Sequence, residues 1–438
     1  MLIAVIGTGY VGLVSGVGLA DFGHTVTCTD IDGEKIKSLQ RGIIPIYEPG
    51  LSAYFDKNVR EGRLTFSSSP PETLEKCDVI IIAVGTPSRD DGCCDLQALF
   101  AAVETIGSKG PDGKVVVIKS TVPVGTNRKV QNILRERYNL TETMVVSNPE
   151  FLREGKAVHD FFHPDKVVVG TDSPRAREVM EEMYRPLYLI DTPFVFCSFE
   201  TAELVKYANN AFLATKITFI NQVANLADAV GADVHTIAKA MGMDGRISPK
   251  FLHPGPGFGG SCFPKDVRAL VQTGREHNLD MSLAREVLSA NLAQSAFMAT
   301  KLERLLGNLT GKTVAALGLA FKAETDDVRE SPAIAVIEYL IERGVNVRAH
   351  DPQAIETARK ILGERVTYHE DLYQAMEGAD ALIILTEWNT YRVLHVERVK
   401  DALRGNVILD TRNVLDPAAV QAAGLVYEGV GRSFKGSE

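Results

Sequence analysis

The sequence predicts an α/β protein built from two doubly wound sandwiches that are joined by a long central helix. Three observations support this fold class. Short apolar runs alternate with helical segments in the first third, a long stretch with helical periodicity follows, and a second strand with a glycine turn opens the last third. At 438 residues the chain is too long for a single core. We expect an N-terminal domain at 1–198, a central helical region at 199–300 and a C-terminal domain at 301–438.

The predicted strands of both sandwiches are short and apolar, as expected for parallel sheets that are covered on both faces. In the first sandwich they are residues 2–6, 25–29, 79–84, 115–118 and 144–146. In the second they are residues 314–319, 345–349, 381–385 and 406–409. The second sandwich is therefore related in plan to the first.

The central stretch, residues 200–230, contains no proline, and its apolar residues recur at spacings of three and four, which is typical of a helix. The residues predicted to share much of one face are Leu204, Ala208, Ala211, Phe212, Thr215 and Phe219. A helix of roughly 30 residues would be ~45 Å long at about 1.5 Å per residue. This length predicts a helix that spans two domains and offers a surface for a dimer.

The composition is that of an ordinary globular protein, with 45% hydrophobic and 24% charged residues. The formal net charge of −9 argues against nucleic acid or an anionic membrane as a partner. No apolar run approaches the ~20 residues that cross a bilayer, and Met1 leads directly into a strand without a signal peptide. The six cysteines show no CxxC spacing, which predicts reduced thiols in a cytoplasmic enzyme and no metal site.

The motif GTGYVG at residues 7–12 follows a predicted strand and opens a predicted helix. Its glycines permit a tight turn, close approach of a pyrophosphate and close packing of helix on strand, with the phosphates on the helix N–H groups. Asp30 ends the next strand 18 residues after Gly12. Its carboxylate would accept from ribose hydroxyls and repel a 2′-phosphate, which favours NAD over NADP in a Rossmann-like domain. The alternative is an ordinary glycine-rich turn. Residues 84–87 would contact the ribose or nicotinamide, or form a simple turn.

Cys262 lies in the sequence GFGGSCFPKD at residues 257–266. Pro264 suits the first position of a helix, so the thiol would precede a helix N-terminus, where a thiolate is stabilised. Asp266 would project from the first turn on a similar face, and the glycines would let the backbone approach a ligand. A dehydrogenase with a nucleophilic cysteine can trap the aldehyde that it makes and oxidise it again. A buried structural cysteine is the alternative interpretation.

Two carboxylates, Glu150 and Glu154, stand four residues apart where the first sandwich ends, and they would otherwise be a solvated helix face. Lys206 and Asn210 share a face of the long helix because they are also four apart. Their neighbours Leu204, Ala208 and Phe212 suggest an apolar setting. There the pair would stabilise an oxyanion, or Lys206 would act as a base with a lowered pKa; as isolated residues they would be surface groups.

The motifs occur in a characteristic order: GTGYVG (7–12), STVPVGT (120–126), NPEFLREG (148–155), the helix with Lys206 and Asn210, GFGGSCFPKD (257–266) and GLAFK (318–322). This order resembles the UDP-glucose/GDP-mannose dehydrogenase family over almost the whole chain, from Ile3 to about Asp416. The motifs GGSCFPKD and NPEFLREG are highly specific, whereas the glycine motif is not.

The resemblance implies a four-electron oxidation at C6 of the sugar of UDP-glucose with two NAD⁺ in succession. Cys262 would capture the aldehyde as a thiohemiacetal, which a second hydride transfer converts to a thioester. The remaining catalytic roles carried over are a proton relay of Lys206 and Asp266 through a water held by Thr121, oxyanion stabilisation by Lys206 and Asn210, thioester hydrolysis assisted by Glu154, and ordering of the substrate by Glu150. A covalent thioester keeps the reactive aldehyde from escaping.

The resemblance also implies two sets of binding residues. Those for NAD are Gly7, Gly9, Tyr10, Val11, Gly12, Asp30, Lys35, Thr86, Thr121, Glu154 and Lys265. Those for UDP-glucose are Phe151, Leu152, Arg153, Lys206, Asn210, Arg246, Phe251, Phe258, Gly259, Phe321, Lys322 and Arg412. Arg246 resembles an arginine contributed by a neighbouring subunit, which would make a homodimer or a larger homo-oligomer obligatory; the alternative is a simple surface arginine.

Three rival interpretations remain open. GDP-mannose or UDP-N-acetylmannosamine dehydrogenases would share the cysteine chemistry, and the prolines at 254 and 256 depart from the expected substrate loop. A non-catalytic nucleotide-sugar binding protein would need none of Cys262, Asp266 and Lys206. A two-electron hydroxyacid dehydrogenase would have no use for Cys262.

Overall fold

The computed structural model describes residues 1–89 and 91–432. The chain forms two compact units: the first contains residues 1–209 and 272–279, and the second contains residues 210–271 and 280–438. The last six residues of the predicted C-terminal domain, 433–438, lie outside the described residues.

The first unit contains an eight-stranded sheet. Its strands are β1 (Leu2–Ile6), β2 (Thr25–Thr29), β3 (Leu64–Ser67), β4 (Val79–Ile82), β5 (Val115–Ile118), β6 (Met144–Ser147), β7 (Val167–Gly170) and β8 (Phe194–Cys197), in the order β3-β2-β1-β4-β5-β6-β7-β8. Neighbouring strands are parallel except β6 and β7, which share one antiparallel pair, Ser147 and Gly170. The five predicted strands are confirmed, although β4 ends two residues earlier than expected, and β3, β7 and β8 were not predicted.

Helices cover both faces of this sheet. They are α1 (Tyr10–Asp21), α2 (Gly33–Gln40), α3 (Leu51–Arg60), α4 (Pro70–Lys76), α5 (Gln97–Lys109), α6 (Thr126–Asn132), α7 (Ala157–Phe162) and α8 (Pro174–Met183), with a π-helical turn at Ile133–Arg137 and a 3₁₀ turn at Arg185–Ile190. Alternate residues of β1 enter two separate cores: Ile3 and Val5 pack in one, Ala4 and Ile6 in the other. This alternation explains the continuous apolar run of the strand.

Four helices connect the two sheets in sequence: α9 (Phe199–Val230), α10 (Val234–Met243), α11 (Phe263–Glu276) and α12 (Ser282–Leu306). The boundary between the two units falls within α9, after Asn209, and within α11, after Val271. The predicted long helix is confirmed, since α9 runs for 32 residues without a break. No helix of the described residues is long and apolar enough to cross a membrane.

The second unit contains a six-stranded parallel sheet. Its strands are β9 (Thr313–Leu317), β10 (Asn346–His350), β11 (Val366–Tyr368), β12 (Ala381–Ile384), β13 (Val407–Asp410) and β14 (Val426–Glu428), in the order β11-β10-β9-β12-β13-β14. Its later helices are α13 (Pro332–Glu342), α14 (Ile355–Leu362), α15 (Leu372–Met376), α16 (Asn389–Arg392), α17 (Val396–Ala402) and α18 (Pro417–Ala422), with a 3₁₀ turn at Gly363–Arg365. Strands β9, β10, β12 and β13 were predicted, whereas β11 and β14 were missed. Counted from its own first strand, this sheet has the order 3-2-1-4-5-6, as do the first six strands of the first sheet, which is the Rossmann order.

Candidate active site

The glycine motif forms the turn between β1 and α1. Gly7 has φ of +101°, and a Cβ on it would lie 2.6 Å from the carbonyl oxygen of Ala83. A Cβ on Gly12 would lie 1.9 Å from the carbonyl oxygen of Gly7, so helix and strand pack too closely for a side chain. Gly9 differs, because nothing lies within 4 Å of its Cβ position and it caps α1 without a side-chain hydrogen bond. The first turn of α1, with Tyr10 and Val11, therefore presents its N–H groups to an open cradle that fits a pyrophosphate.

Asp30 lies at the end of β2 beside this turn. Its Oδ2 accepts from the backbone N–H of Thr8 at 2.8 Å, from the Thr8 hydroxyl at 2.7 Å and from Lys35 Nζ at 3.2 Å. Burial raises the pKa of Asp30, but these hydrogen bonds, one from the Asp32 N–H and the Lys35 charge outweigh it and hold the pKa below its usual value. An ionised carboxylate is thus available for ribose hydroxyls. The next side chain, Ile31, is 97% exposed.

The loops after β4 and β5 are bonded to each other. The Thr86 hydroxyl donates to the carbonyl of Thr121 at 2.8 Å, and the Ser120 hydroxyl donates to the carbonyl of Val84 at 2.7 Å. Both loops leave the carboxyl ends of parallel strands, where ligands bind in open α/β sheets. The structure therefore places Thr86 and Thr121 on the edge that carries the glycine turn.

Glu150 and Lys206 form a buried ion pair in the first unit. Glu150 Oε1 lies 3.0 Å from Lys206 Nζ, and their side chains are 6% and 4% exposed. The other oxygen, Oε2, accepts from the N–H of Leu152. The Phe151 ring centre lies 5.2 Å from Lys206 Nζ and 4.3 Å from Lys166 Nζ. The fold therefore brings Lys206 to a carboxylate 56 residues away in the chain and to the aromatic ring next to it.

The prediction that Leu204, Ala208 and Phe212 form an apolar environment around Lys206 was wrong. Leu204, Ala208 and Phe212 are exposed, whereas Lys206 and Asn210 are buried on the opposite side of α9. The periodicity located an apolar stripe correctly but could not show which stripe packs against the rest of the chain. The environment of Lys206 is polar and aromatic instead.

The remaining residues of the 148–155 loop have separate partners. The Arg153 guanidinium makes two hydrogen bonds to Asp160, from Nε at 2.8 Å and from Nη2 at 2.5 Å, so it is held within the first unit. Glu154 is half-buried in the turn before α7. Tyr10 is hydrogen-bonded through its hydroxyl to the buried Glu48, and both accept from the N–H of Gly155. Glu48 therefore joins the glycine turn between β1 and α1 to this loop, and the sequence analysis did not identify it.

A second carboxylate missed by the sequence analysis, Glu203, fixes α9 in the first unit. It is 2% exposed and accepts from the N–H groups of Gly125 and Asn127 and from Asn127 Nδ2, each at 2.7 Å. Burial raises the pKa of Glu203 although these hydrogen bonds oppose it. Glu203 caps α6 and lies three residues before Lys206, so it holds Lys206 in register with the loop that carries Thr121.

In the second unit, Cys262 immediately precedes α11. Its carbonyl accepts from the N–H of Asp266 at 2.8 Å, the first hydrogen bond of the helix, and its Sγ lies 3.6 Å from the hydroxyl of Ser261. The prediction of a thiol just before a helix N-terminus is confirmed, with the helix beginning at Phe263. This position stabilises a thiolate through the dipole of the helix that begins there.

Asp266 is the buried centre of a polar cluster in the second unit. It is 1% exposed, and its two oxygens accept from Asn210 Nδ2 and from Lys265 Nζ, each at 2.6 Å. Asn210 and Asp266 come from two different helices, α9 and α11. The structure therefore brings together two of the residues that the resemblance made catalytic, with Lys265 beside them.

The glycines of the 257–266 loop pack against protein. A Cβ on Gly259 would lie 2.2 Å from the carbonyl oxygen of Glu330, and one on Gly260 would lie 2.7 Å from the ring of Phe321. Close packing against the chain itself therefore requires glycine at both positions, and the approach of a ligand to this backbone stays a prediction. Phe258 is held by Asn291, which exchanges two hydrogen bonds with its backbone at 2.8 and 2.9 Å. Phe251, with φ of +64°, has its ring centre 6.2 Å from that of Phe263.

The three predicted cations of the second unit lie in different settings. Arg412 donates to the carbonyls of Leu385 at 2.8 Å and Phe321 at 3.0 Å, which fixes its guanidinium beside Gly255. Lys322 Nζ lies 5.3 Å from the centre of the Phe321 ring. The Arg246 side chain is 89% exposed and bonded to Asp244, two residues before it in the same loop.

Comparison with known proteins shows the family to which the chain belongs. Residues 1–188 match the NAD binding domain of the UDP-glucose/GDP-mannose dehydrogenase family, residues 200–293 its central domain and residues 315–417 its UDP binding domain. The chain belongs to this family. It is 48% identical over 436 residues to UDP-glucose 6-dehydrogenase of Rhizobium meliloti, covering 99% of this chain and 100% of that protein. It is 47% identical over 441 residues to UDP-glucose 6-dehydrogenase TuaD of Bacillus subtilis, covering 100% of this chain and 94% of that protein.

Solved structures agree with the family assignment. A UDP-glucose dehydrogenase from Pyrobaculum islandicum has a TM-score of 0.91 at 41% identity, covering 98% of each chain. A UDP-D-ManNAc dehydrogenase from Pyrococcus horikoshii has a TM-score of 0.86 at 30% identity, covering 99% of each chain. The predictions of the fold class, of an NAD-dependent dehydrogenase and of NAD as cofactor are confirmed.

Proposed function

We propose that this chain oxidises UDP-glucose to UDP-glucuronate in two successive NAD-dependent steps through a covalent intermediate on Cys262. The observation that carries the proposal is the thiol at the start of α11, one turn before the buried pair of Asp266 and Asn210. A dehydrogenase that only made an aldehyde would not need this nucleophile. The choice of substrate is supported by the UDP-glucose 6-dehydrogenases of Rhizobium meliloti and Bacillus subtilis, whose sequences are 48% and 47% identical to this chain.

The proposed reaction has four steps: oxidation of the alcohol, addition of the thiol, a second oxidation and hydrolysis of the thioester. NAD⁺, when bound, would accept the hydride from C6, and the hydroxyl proton would pass through a water held by Thr121 to Lys206 and Asp266. Cys262 Sγ then adds to the aldehyde carbon, and Lys206 and Asn210 stabilise the oxyanion of the thiohemiacetal. A second NAD⁺, when bound, would take the second hydride from that carbon, and loss of the hydroxyl proton would leave a thioester. Water, assisted by Glu154, cleaves the C–S bond, releasing the carboxylate and restoring the thiol.

We propose that NAD is bound by the residues expected from the sequence, with one addition. The residues are Gly7, Gly9, Tyr10, Val11, Gly12, Asp30, Lys35, Thr86, Thr121, Glu154 and Lys265. The open cradle at Gly9 and the ionised Asp30 support it most directly. Ile31 is added, because its exposed side chain follows the ribose-binding carboxylate and offers an apolar surface for the adenine.

The substrate set is likewise a proposal. Its members are Phe151, Leu152, Arg153, Lys206, Asn210, Arg246, Phe251, Phe258, Gly259, Phe321, Lys322 and Arg412. Glu150 orders the substrate and the nearby side chains. The match of residues 315–417 to the UDP binding domain supports the roles of Phe321, Lys322 and Arg412. The three domain matches also support the proposed division at 1–198, 199–300 and 301–438.

We propose a homodimer in which Arg246 acts on the partner's substrate. Within the second unit, α9 exposes Phe212, Phe219, Leu226 and Val230, whose spacing puts them along one stripe. Such a stripe is typical of a surface that another chain covers. Among the described residues, the exposed Arg246 pairs only with Asp244 of its own loop, which supports a role outside its own subunit. A cytoplasmic location also stays a proposal, supported by the absence of disulfides among the six cysteines, all of which are described.

A subunit-mixing experiment tests the shared site. Arg246→Ala and Cys262→Ala would each be inactive alone, but a mixed dimer would keep one complete site. Random reassembly of equal amounts should restore about a quarter of the wild-type activity if the dimer is isologous. Lys239→Ala, in an exposed position on α10 close in sequence, serves as the matched control and should be fully active alone. Absence of recovery in mixtures that do exchange subunits would contradict a shared site.

A substrate panel tests the reaction. UDP-glucose, GDP-mannose and UDP-N-acetylmannosamine would be supplied separately with NAD⁺, and NADH formation would be followed by absorbance with product identification by mass spectrometry. We expect UDP-glucose to give the highest kcat/KM and a product with the mass of UDP-glucuronate. A higher kcat/KM with either other sugar would transfer the assignment to that substrate, and UDP-glucose aldehyde as the final product would contradict the role of Cys262.

A further inference from the structure

Lys119 is a buried ammonium that the proposed chemistry does not use. It is 5% exposed and lies directly after β5, two residues before Thr121. Its Nζ donates to Asn148 Oδ1 at 3.1 Å and to the Tyr184 hydroxyl at 3.2 Å, and it lies 5.8 Å from the Tyr184 ring centre. Among the residues that the structure describes, no carboxylate lies within 4 Å of it. A buried charge with only neutral partners is costly to fold, so stability does not account for a lysine at this position.

The partner of Lys119, Asn148, is immobilised on every side. Its Oδ1 accepts from Lys119 and from the Tyr184 hydroxyl at 2.9 Å, and its Nδ2 donates to the carbonyl of Val168 at 2.8 Å. Its backbone N–H donates to the carbonyl of Ile118 at 2.9 Å. This side chain also reinforces the sheet where β6 and β7 share a single residue pair. Asn148 is thus a fixed point between β5, β6 and β7.

Glu150 is attached to this fixed point by a stiff connection. Pro149 has a restricted φ, and it also restricts the backbone of Asn148 before it. The direction of the Glu150 carboxylate, which meets Lys206 at 3.0 Å, therefore depends on the orientation of Asn148. A chain of contacts runs from Lys119 through Asn148 and Pro149 to the Glu150–Lys206 pair.

We infer that Lys119 is a positioning residue that sets the geometry of the Glu150–Lys206 pair through Asn148. The inference rests on the proposed function, because it assigns Lys119 to the same reaction. It predicts a separation of effects that a stabilising lysine would not show. Removing the ammonium should impair turnover while leaving stability and substrate affinity nearly unchanged, since the lost hydrogen bonds are offset by the relieved burial of a charge.

The test is Lys119→Met, measured for kcat, for KM of both substrates and for thermal unfolding. We expect kcat to fall roughly 10- to 100-fold, as a misplaced catalytic group does, and both KM values to change by less than about threefold. Lys114→Met is the matched control: Lys114 precedes the same strand and donates to the carbonyl of Cys77 at 2.5 Å. It should retain wild-type kcat.

A double-mutant cycle with Glu150→Gln separates positioning from an independent effect. In the Glu150→Gln background, Lys119→Met should lower kcat by less than about twofold, because the group that it positions is already altered. Full additivity, or a kcat of Lys119→Met within twofold of wild type, would overturn the inference. If Lys119→Met does not fold, Tyr184→Phe replaces it and should lower kcat about three- to tenfold by freeing Asn148 from one donor; no loss there would overturn the inference as well. A wild-type protein without activity on any sugar of the panel would instead refute the proposed function.

Discussion

The buried pair of Glu150 and Lys206 gives the sharpest stability prediction. Replacing Lys206 by Met leaves Glu150 Oε1 without its hydrogen-bond partner at a position only 6% exposed. Breaking a buried ion pair by removing one partner costs about 3–5 kcal/mol. For a unit of about 200 residues, a loss of 1 kcal/mol lowers Tm by roughly 2–4 °C, so the expected shift is roughly 6–20 °C.

The reciprocal change should be milder. Glu150→Gln keeps an acceptor oxygen near the ammonium, and the Phe151 ring centre at 5.2 Å still faces Lys206. The double variant Lys206→Met/Glu150→Gln removes both charges and should recover about 2 kcal/mol or more of the loss in Lys206→Met, since no buried charge remains unpaired. Neither variant that lacks Lys206 should regain activity.

Urea unfolding of the ligand-free protein at pH 7.5, followed by far-UV circular dichroism, would measure these differences in the free energy of unfolding. The first unfolding transition is the relevant one, because a two-unit protein need not unfold in one step. A loss below about 1 kcal/mol in Lys206→Met, or a double variant no more stable than the single one, would refute the argument that the pair is buried and mutually compensating.

Three further predictions concern the cofactor turn and the effect of pH. Asp30→Ala should raise KM for NAD⁺ at least about tenfold and lower the ratio of kcat/KM for NAD⁺ to that for NADP⁺. The reason is the loss of the carboxylate that binds the ribose and repels a 2′-phosphate. Steady-state kinetics with both cofactors would measure these changes. Gly12→Ala should abolish NAD⁺ binding in calorimetry, since its Cβ would lie 1.9 Å from the carbonyl of Gly7; Gly33→Ala, with open space around it, is the control and should bind normally. Burial lowers the pKa of His350, so its contribution to stability is complete above pH 6.5 and is lost as the pH falls towards its folded pKa. Unfolding midpoints should therefore drop between pH 7.5 and 5.5, and less so in His350→Gln; an equal drop in both proteins would argue against His350 as a source.

The sequence predicted the parts of the site that depend on local chemistry. The glycine turn and Cys262 before α11 could be located because Gly7, Gly12 and Pro264 each have a backbone reason for their position. Strands β3, β7 and β8 were missed, and their length of four residues does not explain it, because β4, β5 and β6 are equally short and were predicted. The polar residues of β3 and the partly exposed side chains of β8 interrupt the apolar pattern that marked the other strands.

The contacts that hold the site together could not be predicted. Glu203 meets Gly125 and Asn127 across more than 70 residues, and Lys119 meets Tyr184 across 65. A buried polar side chain is identified by the partners that the fold supplies, and no local spacing records them. The exposed side of α9 was misjudged for a related reason, since an apolar stripe looks the same in sequence whether its own chain or a partner covers it.

The measurement that tests the central claim most directly is the yield of NADH per UDP-glucose when the sugar is limiting and NAD⁺ is in excess. The proposed thioester route predicts two NADH for each UDP-glucose at completion. A yield of one would show that the aldehyde is released, and the covalent role of Cys262 would be contradicted. The same titration with Cys262→Ser should give no net UDP-glucuronate; full activity of that variant would contradict the account in the same way.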